Sequence, residues 1–278
     1  MKKILITGGT GFLGENLVRR LYGTVNLRVL ARNEGKLIQL KEKYPEIEIY
    51  PGDIADPFVC KQACNGVDGI LHLAGFKHVG LAEKFTKENI DTNVIGSINI
   101  LDATLGNDIE YIVGISTDKA AQVSGSYGAS KLLMERLFRQ YEAINGKCKY
   151  RIVRYGNVLY STGSVVPKWR EIIESGGTIK VTDMRATRFF WTVDDAIDLI
   201  FDCLDKATNS SPYCPSMKAM TVHNLLEALV IKYGKPGNIP VEEIGLQPGE
   251  NLHEKILENG PYSNEVEQFT VEEIMRTI

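Results

Sequence analysis

The 278-residue chain is short of every residue type that would mark a disulfide scaffold, a metal centre or a membrane span. Its five cysteines (Cys60, Cys64, Cys148, Cys203 and Cys214) are scattered and odd in number, which argues against a disulfide framework. Cys60-x-x-x-Cys64 could share one helical face, but no Cys or His lies near enough in sequence to complete a ligand set, so buried thiols are expected. The four histidines (His72, His78, His223 and His253) lack metal-ligand spacing, and no metal is expected. No apolar run approaches the roughly 20 residues of a membrane helix. Met1-Lys2-Lys3 opens like a signal peptide, but Ile4-Leu5-Ile6 is too short for its apolar core and runs into glycines, so a cytosolic protein without membrane contact is expected. Charge of one sign is also scarce. A net charge of −3 carries no signature of nucleic-acid or anionic-membrane binding. Of two tryptophans, Trp169 and Trp191, both are expected to pack rather than to stack on a ligand. Internal repeats and low-complexity segments are missing as well.

What is present is alternation. Short apolar strands are expected at Lys3–Thr7, Leu27–Ala31, Ile47–Tyr50, Gly69–Ala74, Tyr111–Ser116 and Tyr150–Arg154. Helical spacing falls between them at Gly14–Tyr22, Lys36–Lys43, Lys84–Leu105 and Ser126–Ala143. This β-α-β order implies an α/β fold, a Rossmann-type doubly wound parallel sheet. After about Gly156 the pattern loosens, with Gly, Pro and Ser enriched near Ser161–Pro167 and Ser210–Ser216. Short strands (Ile179–Thr182, Phe189–Thr192) then mix with helices (Val193–Leu204, Val222–Tyr233). Residues 1–156 are therefore read as the dinucleotide-binding domain and 157–278 as mainly a smaller substrate-binding lobe. The stretch 185–200 is expected to pack back on the first domain.

Ligands of such sheets bind beyond the carboxyl ends of the strands. Gly8-Gly9-Thr10-Gly11-Phe12-Leu13-Gly14 stands at the first of these ends and opens the first helix. Its Gly8-x-x-Gly11-x-x-Gly14 spacing lets backbone approach a pyrophosphate at a helix N-terminus. The second strand ends in Ala31-Arg32-Asn33, with Lys36 one turn on, where an NAD site usually has an acid. Arg32 can grip a 2′-phosphate with two hydrogen bonds, which favours NADP; the alternative is a solvated Arg32 with the ribose met by backbone alone. Asp53-Ile54 suits an adenine clamp, unless Asp53 only caps a helix. Leu73-Ala74-Gly75, closing the fourth strand, lies at the same edge of the sheet.

Beyond the fifth strand stands Thr117-Asp118-Lys119, eight residues ahead of Tyr127-x-x-x-Lys131. Tyr127 and Lys131 share one helix face, and an ammonium there can lower the phenol's pKa until it works as a base. Asp118 and Lys119 offer a second acid and a second base. One oxidation needs only the first pair, so two pairs suggest a further proton-dependent step on the same substrate. A plain polar loop at Asp118-Lys119 is the alternative.

With both motifs in place, the chain resembles an extended short-chain dehydrogenase/reductase. The finer match is to the polysaccharide-biosynthesis branch, which contains the UDP-N-acetylglucosamine 4,6-dehydratases, especially the soluble C5-inverting ones. The segments carrying it are Lys77-His78-Val79, Ser116-Thr117-Asp118-Lys119-Ala120, Tyr127-Gly128-Ala129-Ser130-Lys131, Arg154-Tyr155-Gly156-Asn157-Val158, Gly163-Ser164-Val165-Val166-Pro167, Thr187-Arg188-Phe189 and Pro248-Gly249-Glu250-x-Leu252-His253-Glu254. They cover nearly the whole chain. The resemblance implies a tightly bound, recycled NADP. It implies that Tyr127 takes the proton of the sugar 4-hydroxyl while C4 gives up a hydride, that Lys131 holds the nicotinamide ribose, and that Thr117 hydrogen-bonds the 4-oxygen. Lys119 then removes the C5 proton while Asp118 protonates the departing 6-hydroxyl, hydride returns to C6, and C5 is inverted if its new proton arrives on the opposite face.

By the same resemblance Lys77, His78, Asn157 and the loop with Ser164, Val165 and Val166 face the UDP-sugar. Arg188 is the diphosphate partner, Glu250 holds the uridine ribose, and the protein is a dimer or larger. Each contact has a structural alternative: Arg188 pairing with a neighbouring acid, or His78 as a buried hydrogen-bonded residue. The loop Ala120–Gly125 lacks an expected Asn-Pro at unchanged length, and Phe190 replaces an expected Trp. The nearest rival is a UDP-sugar 4-epimerase, which needs Tyr127 but no elimination pair. A non-catalytic NADP sensor is a third reading, opposed by the intact Tyr127 and Lys131.

Overall fold

The computed structural model describes residues 1–234 and 239–278. Strands β1 (Lys3–Thr7), β2 (Asn26–Ala31), β3 (Glu48–Pro51), β4 (Gly69–His72), β5 (Tyr111–Thr117) and β6 (Lys149–Tyr155) alternate with helices. The helices are α1 (Phe12–Leu21), α2 (Glu34–Lys43), α3 (Pro57–Cys64), α4 (Val79–Lys84), α5 (Thr86–Ile90), α6 (Gly96–Leu105) and α7 (Ser126–Ile144). The strands pair in parallel in the order β6-β5-β4-β1-β2-β3. Parallel neighbours cannot be joined by a hairpin, so helical crossovers connect them and cover both faces. In β1, Ile4 and Ile6 point into one apolar layer with α1 and α2, while Leu5 points into the other with α3, α6 and α7. The strand order reverses between β1 and β4, and the crevice at that switch is where such a sheet takes its ligand. The doubly wound sheet expected from the alternation is present.

The rest of the chain forms β7 (Asn157–Val158), α8 (Val165–Ser175), β8 (Ile179–Val181), β9 (Thr187–Trp191), α9 (Val193–Lys206), β10 (Pro212–Tyr213), β11 (Ala219–Thr221), α10 (Val222–Tyr233), β12 (Val241–Glu243) and α11 (Val271–Thr277). Of these, α9 joins the main core through Ala196, Ile197, Ile200 and Cys203, and β10 extends the main sheet beside β6. A separate three-stranded sheet has the order β11-β9-β7, and β8 pairs with β12. A third apolar cluster is built from α8, α10 and α11, with Trp169, Leu225, Leu229 and Ile274 at its centre.

Two departures from the pattern reading have physical causes. The expected helix Lys84–Leu105 is present as a continuous helical run from Thr86 to Leu105, but Phe85 (φ −119°, ψ 56°) sets it off from α4, and Asp91–Ile95 within it is a π-helical turn joining α5 to α6. Apolar spacing alone cannot register one extra residue in a turn. Helix α3 is additional to the expected elements, and its start is marked: Asp56 caps it, accepting from Phe58 N at 2.8 Å, and Pro57 fills its first position.

Candidate active site

The glycine loop is shaped for close approach. Gly8 has φ +70°, and a Cβ there would lie 2.7 Å from Ala74 N. A Cβ on Gly14 would meet Gly9 Cα at 2.5 Å, so helix and loop touch only because residue 14 is glycine. Gly11, the N-cap of α1, is exposed; its Cβ would meet nothing nearer than Gly8 O at 3.3 Å, and no side chain caps the helix. The free N–H groups of α1 therefore face outward, and these residues fit a dinucleotide pyrophosphate. Thr10 is buried in the same loop, and Phe12 and Leu13 form the first turn of α1.

At the neighbouring strand ends Arg32 is exposed, 3.7 Å from Asp53. Asn33 caps α2, accepting from Lys36 N at 3.0 Å. The cap of α3 is Asp56, not Asp53. Asp53 accepts from Ala55 N at 2.9 Å and keeps its other oxygen toward Arg32. Ile54 turns inward at 4 % exposure, and a Cβ on Gly96 would sit 2.5 Å from its Cδ1, so Asp53 alone of that pair faces outward.

The acid/base residues collect where β5 ends and α7 begins. Thr117 is the last residue of β5, and Asp118, Lys119 and Ala120 form one 3₁₀ turn. A Cβ on Gly128 would lie 2.3 Å from Lys119 O, so only glycine lets the first turn of α7 press on that turn. Asp118 is 1 % exposed and accepts from Thr117 Oγ1 at 2.9 Å and from Lys119 Nζ at 3.0 Å on each oxygen. Lys119 Nζ is also 3.1 Å from Glu254 Oε1. Burial pushes the Lys119 amine down, but Asp118 and Glu254 outweigh it, and Lys119 is held above the usual lysine range. Tyr127 is raised by burial; the Thr117 hydroxyl and Lys119 pull it down, while Asp118 adds to the rise.

Lys131 follows one helical turn after Tyr127. Burial brings it down to about 8, although Glu135 acts the other way. Its Nζ lies 3.3 Å from Met134 Sδ and 3.6 Å from where a Cβ on Gly75 would be, which puts the ammonium beside the loop Leu73-Ala74-Gly75. Besides burial, the influence on Tyr127 comes from Thr117, Asp118 and Lys119, whereas Lys131 Nζ lies toward Gly75.

Of the residues expected around the sugar, some converge. Lys77 Nζ donates to Thr162 O at 2.8 Å, and a Cβ on Gly163 would sit 3.1 Å from His78 Cε1. Burial lowers both Lys77 and His78, with Lys77 lowering His78 further. Ser164 begins α8 without a capping bond, its Oγ buried and unpartnered. Val165 follows half-buried, Val166 is core, and Asn157 is half-buried in β7. Arg188 lies inward: it is 8 % exposed, donates to Thr187 O (2.9 Å) and Leu252 O (3.0 Å), and its Nε is 3.9 Å from Glu254. Glu250 accepts from Gln247 N at 3.1 Å within a turn whose Gly249 O receives Ser124 Oγ at 3.0 Å, so that turn docks on the loop before α7.

Three groups had not been singled out from sequence. Asn93, in the π turn and 1 % exposed, accepts from Phe76 N (2.7 Å) and donates to Phe76 O (3.0 Å) and Ser130 Oγ (2.9 Å), tying the loop after β4 to α7. Arg154, fully buried, spans Glu135 on α7 and Glu258. Glu254, 0 % exposed, meets Lys119 from the C-terminal segment. Arg154 and Glu254 both stand in motifs that carry the resemblance, but the motifs assign neither a role. Two shallow depressions, of about 970 and 510 Å³, lie at the other end of the sheet around Asn65, Gly106 and Asn107 and hold none of these residues.

Known proteins resemble the chain over most of its length. Over 264 residues, 92 % of this chain and 77 % of the relative, it is 32 % identical to a UDP-N-acetylglucosamine 4,6-dehydratase (inverting) of Campylobacter jejuni. It is 36 % identical over 267 residues (92 % and 80 %) to an uncharacterized membrane protein of Methanocaldococcus jannaschii, and 30 % identical over 266 (92 % and 77 %) to a UDP-glucose 4-epimerase of Rickettsia akari. The solved structure of Pen from Bacillus thuringiensis superposes with a TM-score of 0.93 at 27 % identity, covering 99 % of this chain and 96 % of that one. Among the described residues no helix is long and apolar enough to cross a membrane. The family model described as polysaccharide biosynthesis protein matches residues 4–277, and the chain belongs to that family, within the extended short-chain dehydrogenase/reductases.

Proposed function

We propose that this chain is a nucleotide-sugar 4,6-dehydratase: it takes a UDP-N-acetylhexosamine, UDP-N-acetylglucosamine first, to the 4-keto-6-deoxy sugar, with inversion at C5. The observation that carries the reading is the contact of Asp118 with Lys119 beside Thr117 and Tyr127. The 32 % identical relative bearing that activity in its name supports it. The glycine loop, Arg32, Asp53 and Lys131 would hold NADP, which when bound accepts the C4 hydride and returns it at C6. The open N-terminus of α8 with Ser164 offers N–H donors to the diphosphate.

The chain's own groups then divide the protons. Thr117 orients the 4-hydroxyl and Tyr127 receives its proton. The C5 hydrogen, acidified by the 4-ketone, needs a neutral amine, yet Lys119 rests as an ammonium. One proton shift from Lys119 Nζ to an Asp118 oxygen 3.0 Å away produces both an amine and a carboxylic acid. Lys119 takes the C5 proton as Asp118 gives its proton to the leaving 6-hydroxyl, and water departs. Reprotonation at C5 from the opposite face inverts that centre.

The test is incubation with UDP-N-acetylglucosamine in D₂O and no added reductant. A product lighter by one water, with deuterium at C5, is expected. A 4-epimer without loss of water would instead match the 30 % identical relative's name and overturn the dehydratase. We also propose self-association, as the resemblance implies; exposed Leu81, Phe85, Ile90, Ile95 and Leu133, on or beside mutually packed helices, support it.

A further inference from the structure

We infer that Glu254 is a positioning residue for Lys119: its carboxylate fixes the ammonium from the side of the C-terminal segment and governs how readily Lys119 yields its proton to Asp118. The inference rests on the acid/base roles proposed for that pair. Lys119 Nζ stands between Asp118, at 3.0 Å, and Glu254 Oε1, at 3.1 Å. Glu254 is itself immobilised. Its N–H donates to Ser263 Oγ (2.9 Å), its carbonyl accepts from Ser263 N (2.8 Å), and its Oε2 accepts from Asn251 Nδ2 (3.2 Å). The remaining oxygen, Oε1, is buried with no hydrogen bond of good geometry and points at two cations: Lys119 and, at 3.9 Å, Arg188 Nε.

Four ionisable groups thus meet out of water: Asp118 and Lys119 after β5, Arg188 on β9 and Glu254 on the C-terminal segment, with the Tyr127 phenol of α7 beside them. Two carboxylates and two cations sum to zero, which makes the burial tolerable. The sum stays zero when a proton passes from Lys119 to Asp118: Glu254 then keeps Arg188 as its counterion and still accepts a hydrogen bond from the neutral amine. The transfer leaves the amine lone pair facing the Asp118 O–H; rotation about Cε–Nζ turns it toward the sugar while one N–H stays on Glu254. Both carboxylates hold the ammonium, as the raised Lys119 pKa reflects.

The test compares wild type, E254Q and E254D with lysine ε-carbons labelled for NMR, the Lys119 signal assigned by its loss in Lys119→Arg. In substrate-free protein E254Q removes one anion and keeps the shape, so Lys119 should titrate about one pH unit lower or more, with E254D between the two. With UDP-N-acetylglucosamine, the acid limb of deuterium uptake at C5 should move down by a similar amount while reduction of bound nicotinamide persists. An unchanged Lys119 titration in E254Q overturns the inference, as does an E254D that titrates like E254Q. No C5 exchange in wild type overturns the proposed function instead, and the substrate-free titration still decides the role of Glu254.

Discussion

At the residue scale the site depends on groups whose ionisation is set by burial. Lys131 is a lysine brought from 10.5 to about 8. Its folded pKa lies below its unfolded value, so between these pH values the unfolded chain binds the extra proton, and stability rises with pH across that window. Below about 8 the folded protein bears the unfavourable charged, buried form. Lys131→Met should flatten this rise, which for one group is at most about 1.4 kcal/mol per pH unit; urea unfolding from pH about 8 to 10 measures it. Equal slopes in the two proteins would show that Lys131 is not the source. Gly128→Ala puts a methyl 2.3 Å from Lys119 O. The turn must shift, with a loss of about 1–3 kcal/mol and a larger fall in C5 exchange than in C4 oxidation, because Lys119 moves with its carbonyl. Arg32→Asp should lower NADP affinity relative to NAD by about tenfold or more, measured by titration of both cofactors. An unchanged ratio would remove the 2′-phosphate from Arg32.

At the element scale the π turn between α5 and α6 is the most informative departure. The π turn swings Asn93 inward, where one side chain serves both polar groups of Phe76 and reaches Ser130 on α7. Asn93→Ala should leave the half-buried N–H and C=O of Phe76 without that partner, costing about 1 kcal/mol. It should also raise hydrogen exchange at the Phe76 amide; protection equal to wild type would contradict that account. Most strand ends and the starts of α1, α2 and α7 are legible because glycines and period-two or period-3.6 patterns are local, whereas the capped start of α3 lacks a long apolar pattern behind it. The extra residue of a π turn changes no pattern over its own length, so the long helix is legible from its apolar spacing while the π turn inside it is not.

At the scale of the whole molecule the C-terminal segment completes a site begun by the first half of the chain. Arg154 on β6 binds Glu258 and the Ile256 carbonyl, and Glu254 reaches Lys119. The helices α4, α5 and α7 carry exposed large apolar side chains, and self-association should cover them. Light scattering should then give at least twice the 30.9 kDa of one chain, and Leu133→Glu should lower it. A monomer at micromolar concentration would leave that face unexplained.

The sequence by itself determined the doubly wound sheet, the glycine loop at its first switch and the pairing of Tyr127 with Lys131. Each depends on residues a few positions apart, where chain geometry fixes the distance. It also brought Asp118 and Lys119 together, being adjacent. What only the tertiary structure decided is the charge of Lys119. Burial acts one way and two carboxylates the other, and the second of these, Glu254, comes from the far end of the chain. Which wins depends on distances in space that no spacing along the chain records. The same holds for Arg188, whose approach to Glu254 joins β9 to the C-terminal segment across 66 residues of sequence.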